Sequence, residues 1–229
     1  MQKGSPADAS TGDPNDRSPK SRLERRREDT RRRLMKATYE IIAKRGMEGL
    51  VIQDITEVAD VGYGTFYNHF TSKEAIVAAV IDSSRDFAKE IYRRLSEHTS
   101  DRAEAFALEL LACLRLSKAD KTWGWFILRT VLSGEDSRSG IGTDLQRSLY
   151  ACVQAGVLRE DLKMAHEITG GLLLIGTLRL LREELPDDYP MKVVETILHN
   201  LRFPDKKITA ILSKPFPDLQ LTPFLEAAA

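Results

Sequence analysis

Apolar residues recur at helical spacing from about residue 28 onward, and no stretch alternates with period two for long enough to make a strand. Leu34, Ala37, Thr38, Ile41 and Ile42 fall on one face of a first helix, and Gly46 fits its C-terminal stop. Ile52, Ile55 and Val58–Ala59 mark a short second helix. A break at Asp60-Val61-Gly62 leads to a third, Tyr63–Phe70. Thr71-Ser72-Lys73-Glu74 supplies an N-cap with an acid in the first turn, and a long helix runs on to about His98. Further helical stretches are predicted at roughly 101–118, 121–133, 141–156, 162–185 and 190–202. Asp205–Ala229 carries Pro215, Pro217 and Pro223 among Ile211, Leu212, Phe216, Leu219 and Phe224. That pattern predicts an irregular segment that docks its apolar groups, with room for one helical turn at its start.

Residues 52–70 have the grammar of a helix-turn-helix: short helix, three-residue break, short helix. At 100° per residue Phe66, His69 and Phe70 fall to one side, where the two aromatics can pack on Ile55 and Val58. Tyr63, Gly64, Tyr67 and Asn68 fall opposite. Gly64 inside a helix costs about 1 kcal/mol relative to Ala, which a close backbone approach to DNA would offset. On this geometry alone an ordinary helical hairpin with exposed tyrosines is the simpler reading.

Composition narrows the classes. The 229 residues suggest one or two domains, and 42% apolar with 30% charged residues predicts a globule. Lys+Arg and Asp+Glu both total 34, which excludes a chain that is basic overall but not a basic segment. Residues 1 to about 20 are nearly devoid of apolar groups and read as a flexible tail. Arg17–Lys36 carries ten basic residues, Arg25, Arg26 and Arg27 among them, against Glu24, Glu28 and Asp29. It is either a solvated helix start or an arm that meets phosphate. No secretory h-region precedes it. The longest runs free of charge and histidine, Ser148–Leu158 and Ile168–Leu178, reach eleven residues, about half of a membrane span. Cys113 and Cys152 each stand alone in an apolar pattern and read as reduced thiols of a cytoplasmic protein.

No catalytic constellation assembles. The chain lacks G-x-S-x-G, H-E-x-x-H and C-x-x-C, and His69, His98, His166 and His199 stand far apart. Gly62-Tyr63-Gly64 mimics a dinucleotide loop, but Tyr67 holds the third glycine's position and no strand precedes it. The expectation is no enzyme, no metal and no cofactor.

Ile52-Gln53-Asp54-Ile55, Val61-Gly62-Tyr63-Gly64-Thr65-Phe66-Tyr67-Asn68-His69-Phe70 and Ser72-Lys73-Glu74 together closely resemble the N-terminal domain of TetR-family transcriptional regulators, over roughly residues 30–80. The resemblance implies an all-α protein: a three-helix DNA-binding head joined through a fourth helix to a helical ligand-binding and dimerisation domain. By position it implies that Gln53 contacts a base or phosphate. Tyr63 and Gly64 then read base edges, and Thr65, Tyr67 and His69 touch phosphate or sugar. Lys73 meets a backbone phosphate at a helix N-terminus. Phe66 and Phe70 match core positions. Leu50-Val51 replaces the usual Thr or Ser cap, Asp60 the usual turn glycine, and Gly62 the usual Ser cap. A lost cap is worth about 1 kcal/mol, and Asp60 can tolerate positive φ.

In the second half, Leu172–Ile175, Leu178, Leu180 and Leu181 make 162–185 apolar nearly all round, so it is buried on both sides. Gly170, Gly171 and Gly176 would let it pack closely on a neighbour. A central core helix is one use. A four-helix interface formed by 162–185 and 190–202 with their twins is the one the resemblance implies. Candidates for an effector pocket are Phe106, Leu110, Cys113, Leu114, Trp123, Phe126, Leu149 and Leu173, few of them beside charges, which points to an apolar or aromatic effector.

The chain therefore divides into a flexible basic arm (1–27), a DNA-binding head (28–75), an effector and dimerisation domain (76–204) and a Pro-containing tail (205–229). The expected function is a cytoplasmic, homodimeric regulator that binds an inverted-repeat operator in double-stranded DNA and is released by a small apolar effector. The rival readings are a DNA-bound adaptor that answers a protein partner and, behind it, a helical enzyme acting on small molecules.

Overall fold

The computed structural model describes residues 21–134, 141–158, 161–217 and 224, with backbone alone for 141–144. Among these residues the chain is all helix and turn, without a strand. The helices of the described residues are, in order, α1 (Arg22–Arg45), α2 (Ile52–Val58), α3 (Tyr63–Tyr67), α4 (Lys73–Ser96), α5 (Arg102–Ala119), α6 (Lys121–Leu132), α7 (Ile141–Gln154), α8 (Leu162–Arg182), α9 (Tyr189–Asn200) and α10 (Asp205–Leu212).

The first helix starts earlier than its apolar pattern predicts. Ser21 Oγ accepts from the Glu24 backbone N–H at 3.2 Å, and the Glu24 carboxylate accepts from the Ser21 N–H at 2.7 Å. This reciprocal pair satisfies two otherwise orphaned donors and needs no apolar periodicity. Arg22, Arg25, Arg26 and Arg27 are therefore residues of α1, not of a flexible arm. Residues 1–20, with Arg17 and Lys20, lie outside the described residues.

The turns of the head follow their residues. Gly46 closes α1 at φ +85°, and Asp60 takes φ +51° between α2 and α3. Neither α2 nor α3 has a side-chain cap, as Val51 and Gly62 dictate. Ser72 caps α4 by accepting from the Ala75 N–H. Beneath α3, Phe66 and Phe70 are buried beside Ile55 and Ala59. Val58, the expected partner, is 55% exposed instead. The last turn of α2 rotates Ala59 inward, and its small side chain leaves room for the two rings.

The core of the head does not close at residue 75. Leu34, Ile42, Ile55, Phe66 and Ile76 belong to one apolar cluster with Ala112, Leu116, Trp123 and Phe126 of α5 and α6. Tyr39 and Phe126 rings meet at 4.9 Å, joining α1 to α6. A second cluster, from α5, α7, α8, α9 and α10, holds Phe106, Leu110, Leu114, Leu149, Val194 and Ile197. Gly124 is where α6 approaches α5 and α8: a Cβ there would stand 2.7 Å from Leu181 Cδ2 and 3.1 Å from Ser117 Cβ.

By length and composition α8 matches a membrane span, and 33% of that stretch is buried inside the protein. Its glycines divide by use. A Cβ at Gly176 would meet Val193 at 3.2 Å, so α9 packs closely there, whereas Gly170 and Gly171 have nothing within 4 Å. The C-terminal part is more regular than expected. After Pro204, α10 runs for eight residues, and Phe224 is buried in the first cluster.

Candidate functional site

The exposed face of the helix-turn-helix carries the nominated contacts. Tyr63 and Tyr67 are 54% and 50% exposed. One turn apart, their hydroxyls lie at 3.3 Å and their rings meet edge-on at 5.7 Å. The bond to Tyr63 pushes the Tyr67 phenol pKa up. Gly64 and Asn68 are exposed between and beside them, and Thr65 and His69 are half-buried. Phe66, edge-on to Tyr67 at 5.3 Å, anchors this small helix from within. Gln53 is exposed on α2, its amide donating to Glu57 at 2.9 Å. Lys73 is half-buried at the first position of α4.

Helix α1 brings guanidinium groups beside this face. Arg31 donates to the His69 carbonyl at 3.3 Å and its guanidinium lies 4.2 Å from the centre of the Phe70 ring. Arg33 donates to the Asp60 carbonyl at 2.7 Å and reaches its carboxylate at 3.3 Å. The Asp60 charge that would oppose a phosphate is thereby countered within the chain. Burial, and then the charges of Arg27 and Arg31, hold the His69 imidazole below its ordinary pKa. A neutral imidazole, two tyrosines, an amide and a rim of arginines form a surface suited to a polyanion. Arg31 and Arg33 were not nominated from the sequence, although Arg31 stands one turn beyond Arg27.

A cavity of about 270 Å³ opens in the second half of the chain. Helix α4 gives one wall through Ser84, Arg85, Ala88, Ile91 and Tyr92. Helices α5 and α6 give Glu109, Leu110, Cys113 and Trp123, and α8 gives His166, Gly170, Gly171 and Leu173. The two glycines with open space above them are thus part of the cavity rather than of a close helix contact. Leu110, Cys113, Trp123 and Leu173 line it as nominated. Phe106, Leu114, Phe126 and Leu149 do not: all four are fully buried core, with Phe126 turned toward Tyr39. A helix wheel cannot separate the face that lines a void from the face that fills one.

The wall also carries more charges than the few expected. Arg85, Glu109 and His166 all border the cavity. Glu109 accepts from Ser148 Oγ at 2.5 Å. The Nε of Arg85 is buried without a hydrogen-bond partner. One sequence signal could have found Arg85: Ile81, Ser84, Arg85 and Ala88 share a helical face that is otherwise small or apolar. Burial raises the thiols of Cys113 and Cys152 to about 11 and about 12, so neither is a reactive thiolate at neutral pH.

Comparison with known proteins places both halves. Residues 34–80 match the family described as bacterial regulatory proteins, tetR family, and residues 101–213 match the tetracyclin repressor-like C-terminal domain. The HTH-type transcriptional repressor DhaR of Mycobacterium sp. (strain GP1) is 36% identical over 75 residues, which span 33% of this chain and 36% of that protein. The matched stretch is thus about a third of the length of that curated relative. The crystal structure of RolR in complex with resorcinol aligns over 86% of this chain and 99% of its own, at 29% identity and a TM-score of 0.63. The fatty acid degradation regulator FadR from Bacillus halodurans shares the fold, at 17% identity and a TM-score of 0.60 over 75% of this chain and 94% of its own. With head and body each matched in sequence, and their joint architecture matched in solved structures, the chain belongs to the TetR family of bacterial regulatory proteins.

Proposed function

We propose that this chain is a cytoplasmic transcriptional repressor that grips an inverted-repeat operator as a homodimer and releases it when a small aromatic effector fills the cavity. The observation that carries this reading is the double duty of α4. It begins at Lys73 beside the DNA-facing surface and lines the cavity from Ser84 to Tyr92. A molecule seated there touches the same rigid element that holds the head.

The contacts supply two routes. Trp123, in the cavity wall, meets Phe87 of α4 at 5.2 Å. Trp123 also neighbours Phe126, which meets Tyr39 of α1. An effector pressing on Trp123 therefore acts on both long helices of the head. It lowers DNA affinity only if it binds the DNA-incompetent arrangement more tightly, and couplings of this kind run to about 1–3 kcal/mol.

One head reaches few base pairs, so specificity calls for two at fixed spacing. Helix α8 offers the surface: Met164 and Ile175 are 50% and 54% exposed on an apolar helix of which only 33% is buried inside the chain. Pairing α8 and α9 with their twins would cover them. The resorcinol bound by RolR supports an aromatic effector of similar size.

The test is selection of bound fragments from a genomic DNA pool, followed by binding measurements on the recovered sequence with and without resorcinol or related phenols. An inverted repeat bound by a dimer and weakened by one of these supports the reading. Tight binding of a single half-site by a monomer, or no response to any small molecule, overturns it.

A further inference from the structure

We infer that the effector carries an oxygen acceptor on its aromatic ring, a phenolic hydroxyl or a carboxylate, and that Arg85 Nε–H donates to it. This rests on the reading of the cavity as the effector site and specifies its chemistry.

The polar groups around the cavity differ in what they have left to offer. Ser84 Oγ donates to the Ile81 carbonyl at 2.8 Å within its own helix. The Glu109 carboxylate is engaged by Ser148. Arg85 is divided between two environments. One Nη donates at 3.3 Å to Asp82, a carboxylate 64% exposed on the outer surface. Its Nε lies deeper, shielded from solvent, and meets no acceptor. A buried guanidinium N–H without a partner is destabilising and uncommon in native proteins. A binding site accounts for it: the side chain covers Nε in the empty cavity, and the missing partner arrives when the guanidinium edge turns toward the ligand.

The donor fixes the class of ligand. Arg has five donors and no acceptor, and it stays charged at all relevant pH. It cannot accept from an amine, and it repels an ammonium group. It favours an oxygen that accepts, more strongly when that oxygen is charged. Trp123, Ile91, Leu110 and Leu173 form the apolar part of the wall, with Glu109 and His166 also on it, and suit a ring rather than a phosphate. Since Arg85 belongs to α4, the bond to the ligand would be made on the helix that leads to the head, so that recognition and transmission share one residue.

The experiment measures binding of three probes to the full chain by calorimetry: resorcinol, benzoate and benzene. The expected result for the wild type is at least tenfold tighter binding of resorcinol or benzoate than of benzene. Arg85→Met should bring the oxygenated probes to within about twofold of benzene, which still binds. Retained benzene binding also reports that the cavity of the variant is folded. Arg85→Lys keeps the positive charge but places a methylene where Nε stood, and should lose the preference as well. If benzene binds the wild type as tightly as the oxygenated rings, or either variant keeps the full preference, the assignment to Arg85 Nε is overturned while the cavity remains an aromatic site. If none of the three binds the wild type, the aromatic-effector reading falls with it.

Discussion

The ring of Phe224, near the C-terminus, stands 5.1 Å from the ring of Tyr39 in the first helix. It also meets Phe87 of α4 at 5.6 Å and Trp123 of α6 at 5.4 Å. One side chain from the last stretch of the chain thus completes an aromatic cluster to which both head and body contribute. Phe224→Ala should lower the unfolding free energy by about 3 kcal/mol, as for other buried phenylalanines. Urea unfolding of the two proteins measures it. A loss under about 1 kcal/mol would mean that the ring is not seated in that cluster.

Tyr39 itself is fully buried, and its hydroxyl has no partner. Burial pushes the phenol pKa well above its usual range, and the charges of Asp120 and Glu40 push the same way. An unpaired buried hydroxyl is destabilising by about 1–3 kcal/mol. Tyr39→Phe keeps the ring contacts with Phe126 and Phe224 and removes that cost. Its midpoint in urea should therefore rise, by about 1 kcal/mol of stability. A fall would place an acceptor near the hydroxyl.

Most of the helices could be read from residue pattern, and the family resemblance marked the exposed face of α3, but not Arg31 and Arg33 beside it. Turn residues mark their own places in the head: Gly46, Asp60 and Ser72 each do locally what their chemistry demands. What could not be read either leaves no apolar trace or depends on partners distant in sequence. The capping box at Ser21 comes from two polar residues and leaves no apolar trace, so the helical state of Arg22–Arg27 is invisible to periodicity. Phe106 and Phe126 look like pocket residues because apolar faces are alike in sequence, and only packing decides which of them borders a void. Gly170 and Gly171 resemble close-packing glycines for the same reason. Arg85 is hardest to place, since an arginine on an apolar face more often reaches out to solvent than lines a cavity.

Asp101 gives a pH test. It caps α5 by accepting from the Ala103 and Glu104 N–H groups, and it pairs with Lys207 of α10. Burial alone would raise its pKa, but the Lys207 bond and the backbone donors outweigh it, and the carboxyl sits below its ordinary value. A carboxyl depressed in the folded state stabilises above its unfolded pKa, about 3.9, and that contribution fades as pH falls through this value and below. Both side chains are about one third exposed, so solvent screening holds the effect to about 1 kcal/mol. Asp101→Asn should be less stable than wild type by that amount at pH 7 and nearly equal to it at pH 3. A gap that persists undiminished at pH 3 would assign the effect to capping rather than to charge.

Tyr67 separates the DNA-facing role from a structural one. Half its surface is exposed, and among the described residues its hydroxyl meets that of Tyr63 alone. Tyr67→Ala should change stability by no more than about 0.5 kcal/mol while weakening operator binding by about 1–3 kcal/mol. Unfolding curves and DNA titrations on one preparation decide it. Unchanged affinity would remove Tyr67 from the interface.

Gly64 is the sharpest case, because stability and binding should move in opposite directions. It lies at the second position of α3, exposed, and a Cβ built there meets nothing within 4 Å. Its φ is not in the left-handed region, so no turn requires a glycine. In a helix, glycine is less favourable than alanine by about 0.5–1 kcal/mol, chiefly because it loses more backbone freedom on folding. Nothing among the described residues therefore explains the glycine, and Gly64→Ala should raise the thermal midpoint. If α3 enters a major groove, however, the added methyl stands between the backbone and a base edge or sugar. Operator affinity should then fall by tenfold or more, that is by about 1.4 kcal/mol or more. A variant that is both more stable and binds DNA as well as wild type would show that the backbone at this position stays clear of the groove. One that loses stability would place an unseen neighbour against the helix.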